Sequence, residues 1–280
     1  MEDVVLKEKI EELAQAVEGH RVIGLRQVHG LADAVGSIQA VELAAIDCGI
    51  VPERYVRNLG TIGLEGQAAL LRAKVAVVGL GGLGGYVTEA LARMGVGSLV
   101  LIDHDVFEGH NLNRQLLGTL DTLGMKKAEA ADRRVSAVNG AVQVAWHATR
   151  LTEENLAELL DGVDVVVDAL DRLPTRMMLQ DGAGALGIPM VHGSIAGFLG
   201  QVMTILPGDK GLHALYGDGD GLPAQGLESE LGTPAATPML VAAWEAQEVV
   251  KLLTDQGDPL RHRLLVMDMG SGMIEVLELG

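Results

Sequence analysis

The sequence predicts an α/β protein with a doubly wound, largely parallel sheet. From Lys74 onward, short aliphatic and β-branched segments alternate with segments of helical periodicity, and one junction between them is rich in glycine. Parallel strands that helices cover on both faces are near-continuous apolar runs of this kind. The 280-residue chain is 48% apolar but only 2% aromatic, so its core must be mainly aliphatic.

The glycine-rich junction lies between a predicted strand over Val75 to Val78 and a helical pattern over residues 86–94. It has the form G-x-G-x-x-G, and its glycines are Gly79, Gly81, Gly82 and Gly84. Glycines let the backbone approach a phosphate closely, and the first turn of the following helix offers free N–H groups. The unit therefore predicts a nucleotide site in a Rossmann-like fold.

A second predicted strand, over residues 98–102, ends in Asp103. Its carboxylate is placed to accept hydrogen bonds from ribose hydroxyls. These features alone would fit an NAD-dependent dehydrogenase. However, Arg114 and Lys127 follow, and two cations facing a phosphate loop suit a triphosphate. Lys127 falls in the first turn of a helix predicted over residues 124–138, which favours an anionic partner unless solvent screens the charge.

From about Arg54 to the C-terminus, an ordered set of motifs resembles the ThiF/MoeB/HesA proteins, relatives of ubiquitin-activating enzymes. The motifs are Arg54-Tyr-Val-Arg57, the glycine loop, Asp103, Asn111-Leu-Asn-Arg-Gln115, Lys127 and Val167-Asp-Ala-Leu-Asp171. The resemblance implies a homodimer that uses ATP and Mg²⁺ to adenylate the C-terminal glycine carboxylate of a small ubiquitin-like sulfur carrier. Such carriers supply sulfur in cofactor biosynthesis, for example of molybdopterin or thiamin.

The resemblance also implies a role for each site residue. The nucleotide-binding set comprises Gly79, Gly81, Gly82, Gly84, Asp103, Asn111, Arg114, Gln115 and Lys127. The catalytic set comprises Arg57, which would act in the neighbouring subunit, with Arg114, Lys127 and Asp171. Asp171 would carry Mg²⁺; alternatively, it could cap the helix that Pro174 opens. Relatives usually have Asp-Asn where this chain has Asp171-Arg172, so the role of Arg172 is open.

The chain has one cysteine, Cys48. We therefore expect neither the Cys-x-x-Cys zinc site that many relatives carry nor a thioester or persulfide on the loop after residue 207. Cys48 is expected to be a buried structural residue; a nucleophile is the alternative. His192 is expected to be a core or loop histidine, because a carboxylate that is ionised at pH 7 needs no base.

Two domains are expected: a helical extension over residues 1–50 and an adenylating domain over 51–280. Helices are predicted over residues 2–19 and Leu31 to Asp47, packed on the main domain; a docking element for a partner is the alternative. Residues 207–238 read as a long loop, followed by a helix over 235–254. An antiparallel strand region closes the chain, with a final hairpin over 264–277.

The formal net charge of −17 argues against nucleic acid and anionic membranes as partners. The charged N-terminus and the lack of a long apolar stretch predict a cytoplasmic protein. Two other functions stay open. One is adenylation of a small-molecule or tRNA-borne carboxylate. The negative net charge of the chain disfavours the tRNA substrate. The other is a non-enzymatic nucleotide-binding scaffold.

Overall fold

The secondary structure is taken from a computed structural model that describes residues 3–217 and 228–279. The strands are β1 (Gln15–Val17), β2 (His20–Ile23), β3 (Val51–Pro52), β4 (Lys74–Val78), β5 (Ser98–Ile102), β6 (Gln143–His147), β7 (Val165–Asp168), β8 (Met190–Ala196), β9 (Leu199–Ile205), β10 (Arg263–Asp268) and β11 (Met273–Glu278). The α-helices are α1 (Asp3–Leu13), α2 (Leu25–Val35), α3 (Ile38–Asp47), α4 (Leu59–Arg72), α5 (Gly82–Met94), α6 (Lys127–Val138), α7 (Glu153–Leu159), α8 (Leu173–Ala185), α9 (Leu212–Tyr216), α10 (Glu228–Leu231) and α11 (Ala236–Thr254).

The main sheet has eight strands within these described ranges, in the order β11-β10-β9-β8-β7-β4-β5-β6. The five strands from β8 to β6 run parallel to one another. Strands β9, β10 and β11 extend the sheet in antiparallel fashion. The register pairs Val78 with Ile102 on one side and with Asp168 on the other. The carboxyl ends of β4, β5 and β7 therefore meet at one edge, and the predicted fold class is confirmed.

Helices cover both faces of the parallel part of the sheet. Alternate residues of β4 point to opposite faces, so Val75 and Val77 contact a core that includes residues of α5, α6 and α11. Ala76 and Val78 contact the opposite core, to which α7 and α8 contribute. Burial on both faces explains why these strands appear in the sequence as continuous apolar runs.

The N-terminal extension is helical only in part. Helix α1 ends at Leu13, and β1 and β2 then form a hairpin, so the helix predicted over residues 2–19 is wrong after residue 13. Glu18 and Gly19 both have positive φ, as a tight two-residue hairpin turn requires. The helix predicted over Leu31 to Asp47 is also interrupted. Gly36 ends α2 with φ +82°, and Ser37 caps α3 by accepting a hydrogen bond from the Ala40 N–H (3.1 Å).

A buried polar cluster joins this extension to the main sheet's helices. The hydroxyl of Tyr55, which is fully buried, donates to Glu42 Oε2 of α3 (2.8 Å) and accepts from Asn139 Nδ2, at the end of α6 (3.0 Å). Arg54 forms an ion pair with Glu42 (3.1 Å). Apolar residues from Leu6 to Ile50 form a separate cluster within the extension. The domain boundary at residue 50 stays a prediction.

The C-terminal third contains two short helices where a long loop was predicted. Helices α9 and α10 fall within residues 207–238, while residues 218–227 lie outside the described part of the chain. The closing hairpin is confirmed as β10 and β11.

None of the helices in the described ranges has the length and apolar content needed to cross a bilayer.

Candidate nucleotide-binding site

The glycine loop lies at the carboxyl ends of β4, β5 and β7. Gly79 has φ +90°, and its N–H donates to the Ile102 carbonyl (2.9 Å). A Cβ on Gly79 would lie 2.5 Å from the Ala169 carbonyl oxygen, and one on Gly84 would overlap the Gly79 carbonyl oxygen. Both positions therefore require glycine. Gly81 precedes the first turn of α5, whose initial N–H groups have no partners within the helix.

Asp103 connects the end of β5 to this loop. Its Oδ2 accepts the Leu80 N–H (2.7 Å), and its Oδ1 accepts the Asp105 N–H (2.8 Å). The side chain is largely buried. An ionised carboxylate offers about four acceptor positions. Asp103 can therefore hold the loop and still accept a hydrogen bond from a ribose hydroxyl; that second role stays a prediction.

Lys127 lies in the first turn of α6, as predicted, although the helix begins at Lys127 and not at residue 124; Lys127 is only 7% exposed. Solvent exposure therefore does not explain a cation at this helix start. The partner is Asp105, whose Oδ2 lies 3.1 Å from Lys127 Nζ and whose carbonyl accepts the Lys127 N–H (3.0 Å). Sequence reasoning missed Asp105, although a second acid two residues after Asp103 was visible. Leu80, Asp103, Asp105 and Lys127 thus form one continuous chain of contacts.

Arg114 and Gln115 lie beside the start of α5. A Cβ on Gly82 would be 3.8 Å from Arg114 Cγ, and one on Gly81 would be 3.5 Å from Gln115 Nε2. Gln115 Oε1 is buried and has no hydrogen-bond partner among the described residues. Burial lowers the pKa of the Arg114 guanidinium, but arginine stays charged at neutral pH. A charged donor and an unsatisfied amide therefore flank the free N–H groups of the helix.

Asn111 is buried and has a local structural role. Its Oδ1 accepts the Glu108 N–H (3.0 Å) and so caps the short 3₁₀ turn Gly109–Asn111. This turn leads directly to Arg114. The predicted support of a triphosphate by Asn111 remains untested.

Asp171 lies in the turn between β7 and α8. Strand β7 ends at Asp168, three residues before Asp171. The residue at the N-cap of α8 is Arg172, which makes no side-chain capping bond, so capping by Asp171 is wrong. The Asp171 side chain is exposed, and within the described ranges no hydrogen bond or ion pair engages it. Its carboxylate is therefore available to a ligand.

No contact in the described ranges brings Arg57 to this site within a single chain. It lies on the 3₁₀ segment Glu53–Asn58, and its side chain is 85% exposed and paired with Glu18 (3.0 Å). A role in a neighbouring subunit stays a prediction.

Buried titratable residues next to the site were not predicted as a group. Asp168 and His192 are paired side by side on β7 and β8, which confirms His192 as a core residue. Burial lowers the pKa of His192 despite the neighbouring carboxylate. Glu245 of α11 is fully buried, and burial together with the charge of Asp168 raises its pKa well above the usual value. The sequence did contain one indication of this group: the motif Val167-Asp-Ala-Leu-Asp171 has a second acid, Asp168, besides Asp171.

Two other candidate sites carry less weight. Donor atoms of Asp103, His104 and Asp105 lie within 4.8 Å of one another. However, Asp103 accepts two backbone N–H groups and Asp105 is paired with Lys127, so a cation would have to displace that lysine. Cys48, which was expected to be buried, is only half-buried at the end of α3, and burial raises the pKa of its thiol. A raised pKa disfavours the nucleophilic thiolate.

The fold and this set of residues define a nucleotide-binding α/β protein with cations beside its phosphate loop. The chain belongs to the ThiF family, whose model matches residues 55–280. It is 40% identical over 221 residues to the SAMP-activating enzyme E1 of Haloferax volcanii, covering 77% of this chain and 81% of that protein. It is 39% identical over 224 residues to the sulfur carrier protein adenylyltransferase of Thermus thermophilus, covering 77% and 83%. The E. coli MccB crystal structure with succinimide has the same fold, with TM-score 0.70, 20% identity and coverage of 100% and 89%.

Proposed function

We propose that the chain uses ATP to adenylate the C-terminal glycine carboxylate of a small ubiquitin-like sulfur-carrier protein. The observation that carries the proposal is the connected chain from the glycine loop through Asp103 and Asp105 to Lys127. It joins a phosphate-binding helix start to a cation that the fold holds in place. The names of the relatives, which denote SAMP activation and sulfur-carrier adenylation, support the same reaction.

The residues present fit ATP. Side chains at Gly79 and Gly84 would collide with backbone, so only glycine allows the tight turn that leads into α5, whose first N–H groups can bind phosphate. The unsatisfied amide oxygen of Gln115 needs a donor, which a bound ligand or a water molecule would supply. Arg114 and Lys127 provide positive charge beside the N-terminus of α5, where phosphates bind favourably.

The reaction requires that the carboxylate be aligned with the α-phosphorus and that the negative charge of the phosphates be neutralised. The carrier's carboxylate is already ionised at pH 7, so it attacks the α-phosphorus without a general base. Pyrophosphate leaves as the acyl adenylate forms, and negative charge grows on the bridging and leaving oxygens. Arg114 and Lys127 stabilise that negative charge, and Arg57 from the partner subunit of a homodimer stabilises it further.

Asp171 is the residue that we propose to hold Mg²⁺. It is exposed and, among the residues described, its carboxylate is not engaged by any partner. Carboxylates together with phosphate oxygens form the usual ligand set of this ion. When bound, Mg²⁺ supplies further neutralisation of phosphate charge.

The antiparallel end of the sheet is the surface that we propose for the carrier. Strand β11 is the sheet edge, and all six of its residues are exposed. Ile274 is 60% exposed, and Phe198, in the turn between β8 and β9, is 61% exposed. Apolar side chains on an open edge are typical of a surface that binds another protein.

The test is exchange of labelled pyrophosphate into ATP. The probe is a β-grasp carrier ending in Gly-Gly from the same source, and the control is the same carrier without its last glycine. Exchange that depends on the intact carrier is the expected result. Exchange without a carrier would instead support activation of a small molecule, and its absence with every candidate carrier would favour the scaffold function.

A further inference from the structure

The turn over residues 169–171 forms one wall of the glycine loop. The N–H of Ala169 donates to the Val78 carbonyl (2.9 Å). The carbonyl oxygen of Ala169 lies so close to Gly79 that no side chain fits there. Asp171 follows two residues later. Any shift of this turn would therefore move both the phosphate loop and the Asp171 carboxylate.

Two charged side chains, the buried Asp168 and the half-buried Arg176, hold the N–H and the carbonyl of Leu170 in that turn. Asp168 Oδ1 accepts the Leu170 N–H (3.1 Å). The Arg176 guanidinium donates to the Leu170 carbonyl and also to the Gly193 carbonyl of β8 (3.1 Å). The turn is thus tied to β8 and α8.

His192 in turn holds Asp168. Its Nδ1 lies 2.7 Å from Asp168 Oδ2, and both side chains are fully buried. Its other ring nitrogen, Nε2, is buried without a hydrogen-bond partner in the described ranges. An apolar side chain of similar volume would fill the same space without desolvating a ring nitrogen. Packing alone therefore does not explain a histidine here, whereas donation to Asp168 does.

We propose that His192 is a positioning residue of the nucleotide site, which acts through Asp168 to fix the turn over residues 169–171. The consequence for Mg²⁺ and ATP rests on the proposed function, because it depends on Asp171 as a ligand. The effect of His192 on the position of the turn does not depend on the proposed function.

The experiment compares His192→Leu, which removes the donor, with His192→Asn, whose amide N–H can replace Nδ1. His192→Met is a second donor-free variant in case the leucine variant does not fold. Met190→Ala is the packing control, since Met190 is buried on the same strand but pairs in register with Val166, whereas Asp168 pairs with His192. Two readouts are measured: hydrogen exchange of the peptide over residues 169–172, and affinity for α,β-methylene-ATP with Mg²⁺.

The donor-free variants are expected to lose protection in this peptide and to bind the analogue about 10- to 100-fold more weakly, as for other residues that orient a metal ligand. His192→Asn should keep both properties, and Met190→Ala should lower the Tm while leaving both unchanged. If a folded donor-free variant shows the same hydrogen exchange in this peptide as the wild type, the proposal is overturned. If the wild type binds no analogue, the proposed function fails, and the exchange comparison still decides the role of His192.

Discussion

The ammonium nitrogen of Lys127 lies 3.1 Å from Oδ2 of Asp105, at a helix start where a cation is unfavourable. The ion pair offsets the unfavourable interaction with the helix dipole and keeps the lysine directed to the same edge as the glycine loop. Asp105 also donates its N–H to Asp103. Lys127 is therefore held in position before a nucleotide arrives, which lowers the cost of ordering it on binding.

Lys127→Met should abolish most of the activity with little loss of stability. Methionine keeps the buried methylene packing but removes the charge, so carrier-dependent pyrophosphate exchange should fall about 100-fold or more. Lys126→Met is the matched control, because Lys126 is an exposed neighbour whose Nζ contacts only the His104 carbonyl among the described residues. Similar activities of the two variants would show that Lys127 does not act on phosphate.

Asp171→Asn should be inactive and as stable as the wild type. The substitution preserves size but removes the charge that a hard cation needs. Since no hydrogen bond or ion pair among the described residues engages this exposed side chain, the Tm should barely move. The assay is pyrophosphate exchange across a Mg²⁺ titration, with the exposed Asp161→Asn as control. A fully active Asp171→Asn would exclude Asp171 from the site.

Glu245→Gln should stabilise the protein at neutral and alkaline pH. The folded-state pKa of Glu245 is raised by burial, so the unfolded state releases its proton first as the pH rises past the ordinary value. Wild-type stability then falls by about 1.4 kcal/mol per pH unit between the unfolded and folded pKa values. The variant lacks this loss.

Urea unfolding at several pH values measures the difference. The two proteins should converge near pH 4, below the unfolded pKa, and the gap should widen from there upward until the folded pKa is reached. Glu65→Gln, at an exposed position of α4, serves as control and should follow the wild type. A constant difference across the pH range would mean that Glu245 is already ionised in the folded state.

Cys48→Ala should keep carrier-dependent exchange. The thiol is half-buried with a raised pKa, so it is a poor nucleophile at neutral pH. Mass spectrometry of the wild type with ATP and carrier should show no covalent conjugate. A thiol-sensitive conjugate that disappears in Cys48→Ala would make Cys48 a catalytic residue.

The elements that sequence reasoning found are those whose pattern is local. The strand before Gly79, the helix after it and Lys127 at the start of α6 all follow from residues within a few positions of one another. The pairing of Asp168 with His192 joins residues 24 positions apart and depends on strand register. The hairpin over residues 15–23 was missed because its strands are too short to show alternation, and Glu18 is an unusual residue at positive φ.

Arg57 tests whether the active unit is a two-fold dimer. In one chain it is exposed and paired with Glu18, and no contact in the described ranges brings it to the site of that chain. If Arg57 acts in the partner's site, Arg57→Ala and Lys127→Ala should each be inactive as homodimers. A mixed dimer differs, because one of its sites has Lys127 from its own chain and Arg57 from the other, both intact. Its second site lacks both.

Co-expression of the two variants with different tags, followed by purification on both tags, isolates the mixed dimers. Under a two-fold arrangement these should recover about half of wild-type exchange, and an unfractionated random mixture about a quarter. If Arg57 acts within its own chain, each site of a mixed dimer lacks one essential residue and no activity returns. A folded, doubly tagged dimer without exchange activity would therefore remove Arg57 from the partner's site.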